Sequence, residues 1–175
     1  MNILVSAYHP HMEQSVVNKY FKDKLKDEPY ITFRDMYKEY PDEIIDVEKE
    51  QRLCEEHDRL VFQFPLYWYS SPPLLKKWFD HVLLYDWAYG TNGTALRGKD
   101  FMVATSTGGP AEVYQAGGSN HYSISELLKP FQATSNFIGT NYRPPFVFFN
   151  TNTAGEEQLA QGAEQYRQHI FKTDF

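Results

Sequence analysis

The chain reads as one doubly wound α/β domain, a five-stranded parallel sheet with helices on both faces. Three observations predict it. Five short runs rich in apolar and β-branched residues alternate with five segments whose apolar residues recur at helical spacing. Most of the runs stop at a proline, glycine or polar turn, as a buried strand does on entering a loop. The 175 residues, with no internal repeat or low-complexity linker, make a single domain spanning 1–175. Right-handed crossovers between parallel strands then place helices on either side of the sheet.

Asn2 to Ala7 forms the first strand and runs into Tyr8-His9-Pro10. Val17, Tyr20, Phe21 and Leu25 give the following helix one apolar face, and Ser15 stands where a hydroxyl can satisfy the free N–H groups of its first turn. Tyr30 to Phe33 is a short second strand. Ile44, Val47 and Cys54 mark a rather polar second helix, whose helical run is Val47 to Glu56. Arg59 to Phe64 has the content of a sheet interior, and Pro65 ends it. Pro72 and Pro73 can open a third helix, with Leu75, Trp78, Phe79 and Val82 on its apolar face. Phe101 to Thr105 is the fourth strand, broken by Ser106-Thr107-Gly108-Gly109-Pro110. Ser125 to Phe137 is helical with a bend or reset at Pro130. Pro145 to Phe149 is the fifth strand, and Leu159, Ala163, Tyr166 and Ile170 define the last helix.

Composition narrows the function. A net charge of −6, with no stretch dense in Lys or Arg, lacks the footprint expected for nucleic acid or anionic lipid. No apolar run reaches the length of a membrane span, and the N-terminus has neither a basic region nor a cleavage site, so a cytoplasmic protein is expected. Cys54 is the single cysteine; it has no disulfide partner and no companion for a metal site, and burial in the core is expected. Aromatic residues make up 17% of the chain and cluster at 62–69, 78–89 and 142–149, more than a small core needs. Some are therefore expected at a planar-ligand site or a subunit interface.

Three loops carry the candidate chemistry. If the strand order is 2-1-3-4-5, ligands bind beyond the carboxyl ends of strands 1 and 3, where the winding reverses. The loop His9 to Asn18 leads from strand 1 into a helix N-terminus, which favours an anion such as phosphate, with Ser15 adding a hydroxyl. The competing reading is a plain cap at Ser15 and a satisfied loop histidine at His9. Gly-x-Gly-x-x-Gly does not occur, and neither does a full P-loop, because Gly93 to Lys99 spells Gly-x-x-x-x-Gly-Lys but is followed by Asp100 instead of Ser or Thr; dinucleotide-type and P-loop sites lose support. Pro65-Leu66-Tyr67-Trp68-Tyr69 after strand 3 is too aromatic for an ordinary turn and suits a flat heterocycle such as a flavin ring, or else a hydrophobic plug or dimer surface. Ser106-Thr107-Gly108-Gly109-Pro110 lets backbone approach a ligand closely and can aim donors at the pyrimidine edge of a flavin, or can be a simple turn.

Phe62 to Asp80, with its Phe64-Pro65-Leu66-Tyr67-Trp68-Tyr69 core, and Ser106 to Pro110 closely resemble the NAD(P)H:quinone oxidoreductase family of flavodoxin-like fold. The resemblance extends to His9–Asn18 and to Trp87-Ala88-Tyr89-Gly90-Thr91, nearly the whole chain, and is strongest to a short bacterial branch of general-stress oxidoreductases and ancillary subunits of potassium-efflux systems.

That resemblance implies the strand order 2-1-3-4-5 and a homodimer with a flavin at each of two interface sites, reduced by NAD(P)H and reoxidised by a quinone in a ping-pong cycle of hydride transfers. It assigns His9, Ser15, Val16, Val17 and Asn18 to the flavin phosphate, Pro65 to Tyr69 to the ring, and Ser106, Thr107, Gly108 and Gly109 to the pyrimidine edge. Tyr114 matches a tyrosine beside the ring that handles charge during hydride transfer; His121 is its candidate partner, although Gly117-Gly118-Ser119-Asn120 is shifted by about a residue from the longer relatives. Tyr89 matches a tyrosine that closes the opposite subunit's pocket, while a second such tyrosine is Thr91 here. The longer relatives use FAD, and the short branch implies FMN. The alternatives from other classes are a flavodoxin-type electron carrier, against which the aromatic pocket tells, and a flavin-bound regulatory subunit of a potassium-efflux membrane protein.

Overall fold

The computed structural model describes Met1–Phe175. β1 (Ile3–Ala7), β2 (Ile31–Asp35), β3 (Arg59–Pro65) and β4 (Asp100–Ser106) are all parallel. The sheet order is β2-β1-β3-β4-β5, the flavodoxin-like order. The fifth position differs from the single strand expected there. It is filled by β5 (Asn141–Tyr142) and β6 (Phe146–Phe148), both paired in parallel with β4. Pro144 and Pro145 separate them, since proline has no N–H to give to a ladder.

The helices are α1 (Val16–Leu25), a short α2 (Met36–Glu39), α3 (Val47–Glu56), α4 (Pro73–Val82), α5 (Ile124–Leu127), α6 (Lys129–Phe137) and α7 (Glu156–Phe171). The helix expected over Ser125 to Phe137 with a reset at Pro130 is divided into α5 and α6: the helical run breaks at Leu128, and the proline falls in the first turn of α6, where its missing N–H costs nothing. Pro73 opens α4 on the same principle.

Alternation along the strands sorts side chains between two cores. Leu4, Leu60, Phe62, Phe64, Phe101 and Val103 face α3, α4 and α6, packing with Trp78, Phe131 and the buried Cys54. Ile3, Val5, Val61, Met102 and Ala104 face α1 and α7, against Phe21, Leu25, Tyr166 and Ile170. At the amino ends of the strands, the buried Arg59 donates through Nε (3.0 Å) and Nη2 (2.7 Å) to Asp100, and Arg143 closes on the other carboxylate oxygen at 2.8 Å. This clamp ties β3, β4 and the start of the fifth position together, leaving the opposite, carboxyl edge open. No helix is long and apolar enough to cross a membrane.

Candidate functional site

At the carboxyl edge, β1 hands the chain to α1 on one face and β3 hands it to α4 on the other, so a crevice opens between them. Pro65 and Ser106 end β3 and β4 in direct register. The loops that follow are therefore neighbours, tied by Leu66 N–H to the Ser106 carbonyl at 2.8 Å.

A cavity of about 340 Å³ lies there, lined by His9, Ser15, Val16, Val17, Asn18, Pro65, Leu66, Tyr67, Ser106, Gly108, Thr151 and Asn152. All three loops singled out in the sequence reach it. Its lining contains no Lys, Arg, Asp or Glu. Ser15 caps α1, its Oγ accepting from Asn18 N–H at 3.1 Å, so the capping reading holds while the same hydroxyl also borders the cavity. Val16 and Val17 are in the first turn of α1, whose N–H groups have no intrahelical acceptor. Burial, and secondarily His11, lower the pKa of His9, favouring the neutral ring. Its Nδ1 accepts from the His11 N–H at 3.1 Å, which places the proton of the neutral ring on Nε2.

Thr151 and Asn152, which follow β6, form a fourth wall that sequence reasoning missed. Their residue types carry no distinguishing signal. Backbone pairing brings them in: Thr107 N–H donates to Phe148, Thr151 N–H to Thr107 and Asn150 N–H to Gly109, at 2.9, 3.0 and 3.0 Å. A Cβ added at Gly108 would stand 3.1 Å from Asn152 Nδ2, so the glycine is what permits this approach.

Other expected residues lie apart from the lining. Thr107 is buried and donates from Oγ1 to the Gly109 carbonyl at 2.9 Å, holding the turn rather than facing the cavity. Gly109 lies against the Tyr114 ring, which is half-buried beside Phe149. His121 is exposed, with φ 62°. Trp68 and Tyr69 form the tip of a two-residue turn closed by reciprocal Tyr67–Ser70 backbone bonds of 2.9 Å. Both tip residues have positive φ, 47° and 62°, so two non-glycine residues sit in the left-handed region. Trp68 is 93% exposed, its indole turned out of the cavity. Tyr89 packs on Phe137 and Tyr85 of the same chain.

A family model described as flavodoxin-like fold matches residues 1–170. General stress protein 14 of Bacillus subtilis is 65% identical over 97% of both chains. The glutathione-regulated potassium-efflux system ancillary protein KefG of Yersinia enterocolitica is 37% identical over 96% of this chain and 91% of its own. A crystal structure of general stress protein 14 from Treponema denticola in complex with FMN superposes with a TM-score of 0.93, 41% identity and coverage of 96% and 97%. An NADPH-quinone reductase from P. pentosaceus gives 0.91, 30% identity and coverage of 99% and 100%. A structure described as a thermophilic tryptophan halogenase from Streptomycin violaceusniger gives 0.96, 75% identity and coverage of 98% and 99%.

Proposed function

The chain belongs to the NAD(P)H oxidoreductase family of flavodoxin-like fold, and on that premise we propose that it is an FMN-dependent NAD(P)H:quinone oxidoreductase. The observation that carries the proposal is the convergence of four loops on one cavity. Its lining joins the α1 N-terminus, Ser15 and Asn18, suited to an anion, with Pro65, Leu66 and Tyr67, suited to a flat ring.

These residues fit FMN. The phosphate end offers backbone N–H groups and hydroxyls, with no carboxylate in the lining to repel an anion. The absence of a Cβ at Gly108 keeps open the space where Asn152 closes in. Bound there, FMN would supply hydride acceptance from NAD(P)H and hydride donation to a quinone, in a ping-pong cycle. The chain's own work is to bind, orient and exclude water. Neutral His9 donates from Nε2 without adding charge. Pro65 to Tyr67 wall the ring end, and Ser106 to Gly109 bring backbone to the pyrimidine edge. Tyr114, beside Gly109, serves as the proton partner through its phenolic oxygen, with His121 as its proposed companion.

The functional unit is proposed to be a homodimer. Trp68, Tyr85, Tyr122 and Phe137 are large apolar side chains left exposed on the protomer, and Tyr89 is placed beside Phe137 and Tyr85. Such a surface would make the aromatic loop both ring bed and interface. The name of the KefG relative supports a second reading, a flavin-bound ancillary subunit of a potassium-efflux protein.

The test is turnover: FMN-loaded protein should oxidise NADH or NADPH beyond the single equivalent its flavin can take up only when a benzoquinone or naphthoquinone is supplied. No bound flavin, or no acceptor-dependent oxidation with either nucleotide, overturns the proposal. A halogenase reading is tested in parallel with tryptophan, chloride, reduced flavin and dioxygen, which together supply the oxidising equivalents, and no chlorinated product is expected.

A further inference from the structure

A line of buried hydrogen bonds runs from the last helix to the phosphate end of the cavity. Tyr166 of α7 is fully buried, and its hydroxyl donates to Gln63 Oε1 at 3.0 Å. Gln63 of β3, also buried, donates from Nε2 to Asn18 Oδ1 at 3.1 Å. Asn18 then donates from Nδ2 to Ser15 Oγ at 3.2 Å and to Ser106 Oγ at 3.4 Å, and both serines border the cavity.

Each link has a direction. A phenol held protonated by burial has one hydrogen, and an amide has a donating and an accepting end. With Tyr166 donating to its oxygen, Gln63 presents its NH₂ to Asn18. That fixes the Asn18 oxygen inward and its NH₂ towards the serines. The serine oxygens then spend lone pairs on Asn18, which leaves their own O–H hydrogens free for whatever anion occupies the cavity. A flip anywhere along the line would reverse this and turn the hydroxyl hydrogens back onto Asn18.

We propose that Tyr166 and Gln63 are positioning residues that, from outside the cavity and through Asn18, set Ser15 as a hydrogen-bond donor to the phosphate of the bound cofactor. This rests on the reading of the cavity as an FMN site.

Riboflavin shares the ring and ribityl chain of FMN and lacks the phosphate, so it separates orientation from simple structural damage. Tyr166→Phe keeps the ring, which packs between Phe21 and Phe146 at centroid distances of 5.0 Å, and removes only the orienting hydroxyl. Gln63→Met removes the amide at neutral charge and is measured independently. Flavin-fluorescence titration should show both variants losing FMN affinity by at least about 3-fold, the effect of misdirecting a single hydrogen bond, with riboflavin affinity unchanged. Equal losses for the two ligands, or no loss in the variant that folds, overturn the inference. Absence of FMN binding by the unaltered protein would instead overturn the cofactor reading and, with it, this inference.

Discussion

Glu50 is the residue whose replacement should cost the fold most for the smallest change in shape. It is fully buried on α3 and accepts from three donors: the Arg34 guanidinium of β2, the Tyr40 hydroxyl just after α2 at 2.6 Å and Trp78 Nε1 of α4 at 2.8 Å. Glu50→Gln keeps the volume but converts one accepting oxygen into an NH₂ donor. Oε1 serves Arg34 and Tyr40 together, so the NH₂ is forced towards Trp78, which is 1% exposed and has no other acceptor for its indole N–H. An unsatisfied buried donor costs about 1–3 kcal/mol. The uncompensated Arg34, 6% exposed and left with Glu39 alone, brings the total towards the about 3–5 kcal/mol seen when a buried pair is broken. For a domain of this size, at about 2–4 °C per kcal/mol, the midpoint should fall by about 6–20 °C. Urea denaturation and calorimetry of the apo protein measure both. A loss below about 1 kcal/mol would refute the claim that the three donors depend on this one carboxylate.

Other outcomes follow from the same structure. Trp68→Gly should relieve about 1–2 kcal/mol of left-handed strain, less about 0.5–1 kcal/mol for glycine's added unfolded-state freedom. Dilute apo protomer should therefore be slightly stabilised, while dimerisation and FMN binding weaken; a destabilised dilute protomer would contradict the strain assignment. Gly108→Ala should lower FMN affinity with a stability change under about 1 kcal/mol, because only the Asn152 side chain must yield; titration and melting of one preparation decide it. His9 has its pKa lowered in the fold, so it contributes stability that is fully present above its unfolded value of about 6.5 and is lost as pH falls from there towards the folded value. His9→Gln should flatten that part of the stability curve, and an unchanged curve would show that other groups set it.

Much of this was legible in the residues because the signals were local. Ser15 announced a helix start, Pro73 an opening turn and Pro130 a helix reset, and the apolar, aromatic content of Arg59 to Phe64 announced a strand buried on both faces. The convergence of the His9, Pro65 and Ser106 loops followed from strand order, which the family resemblance implied. What was illegible depends on pairings distant in sequence. Thr151 and Asn152 enter the site only through the parallel pairing of β6 with β4. The burial of Arg34 with Glu50 joins charges 16 residues apart, and the Tyr166–Gln63 bond spans 103. Trp68 faces outward because the tight turn aims successive side chains differently, a geometry that aromatic content alone does not encode. The split fifth strand did carry a local signal, the adjacent Pro144 and Pro145.

The central claim is that the cavity beyond β1, β3 and β4 holds FMN and passes hydride through it. Anaerobic mixing of FMN-loaded protein with NADH or NADPH tests this most directly, followed by addition of a quinone. The flavin absorbance should bleach with at least one nucleotide and return in full on quinone addition, one FMN per chain. An absorbance that stays unchanged with both nucleotides, or bleaches and is not restored by quinone, would contradict the account.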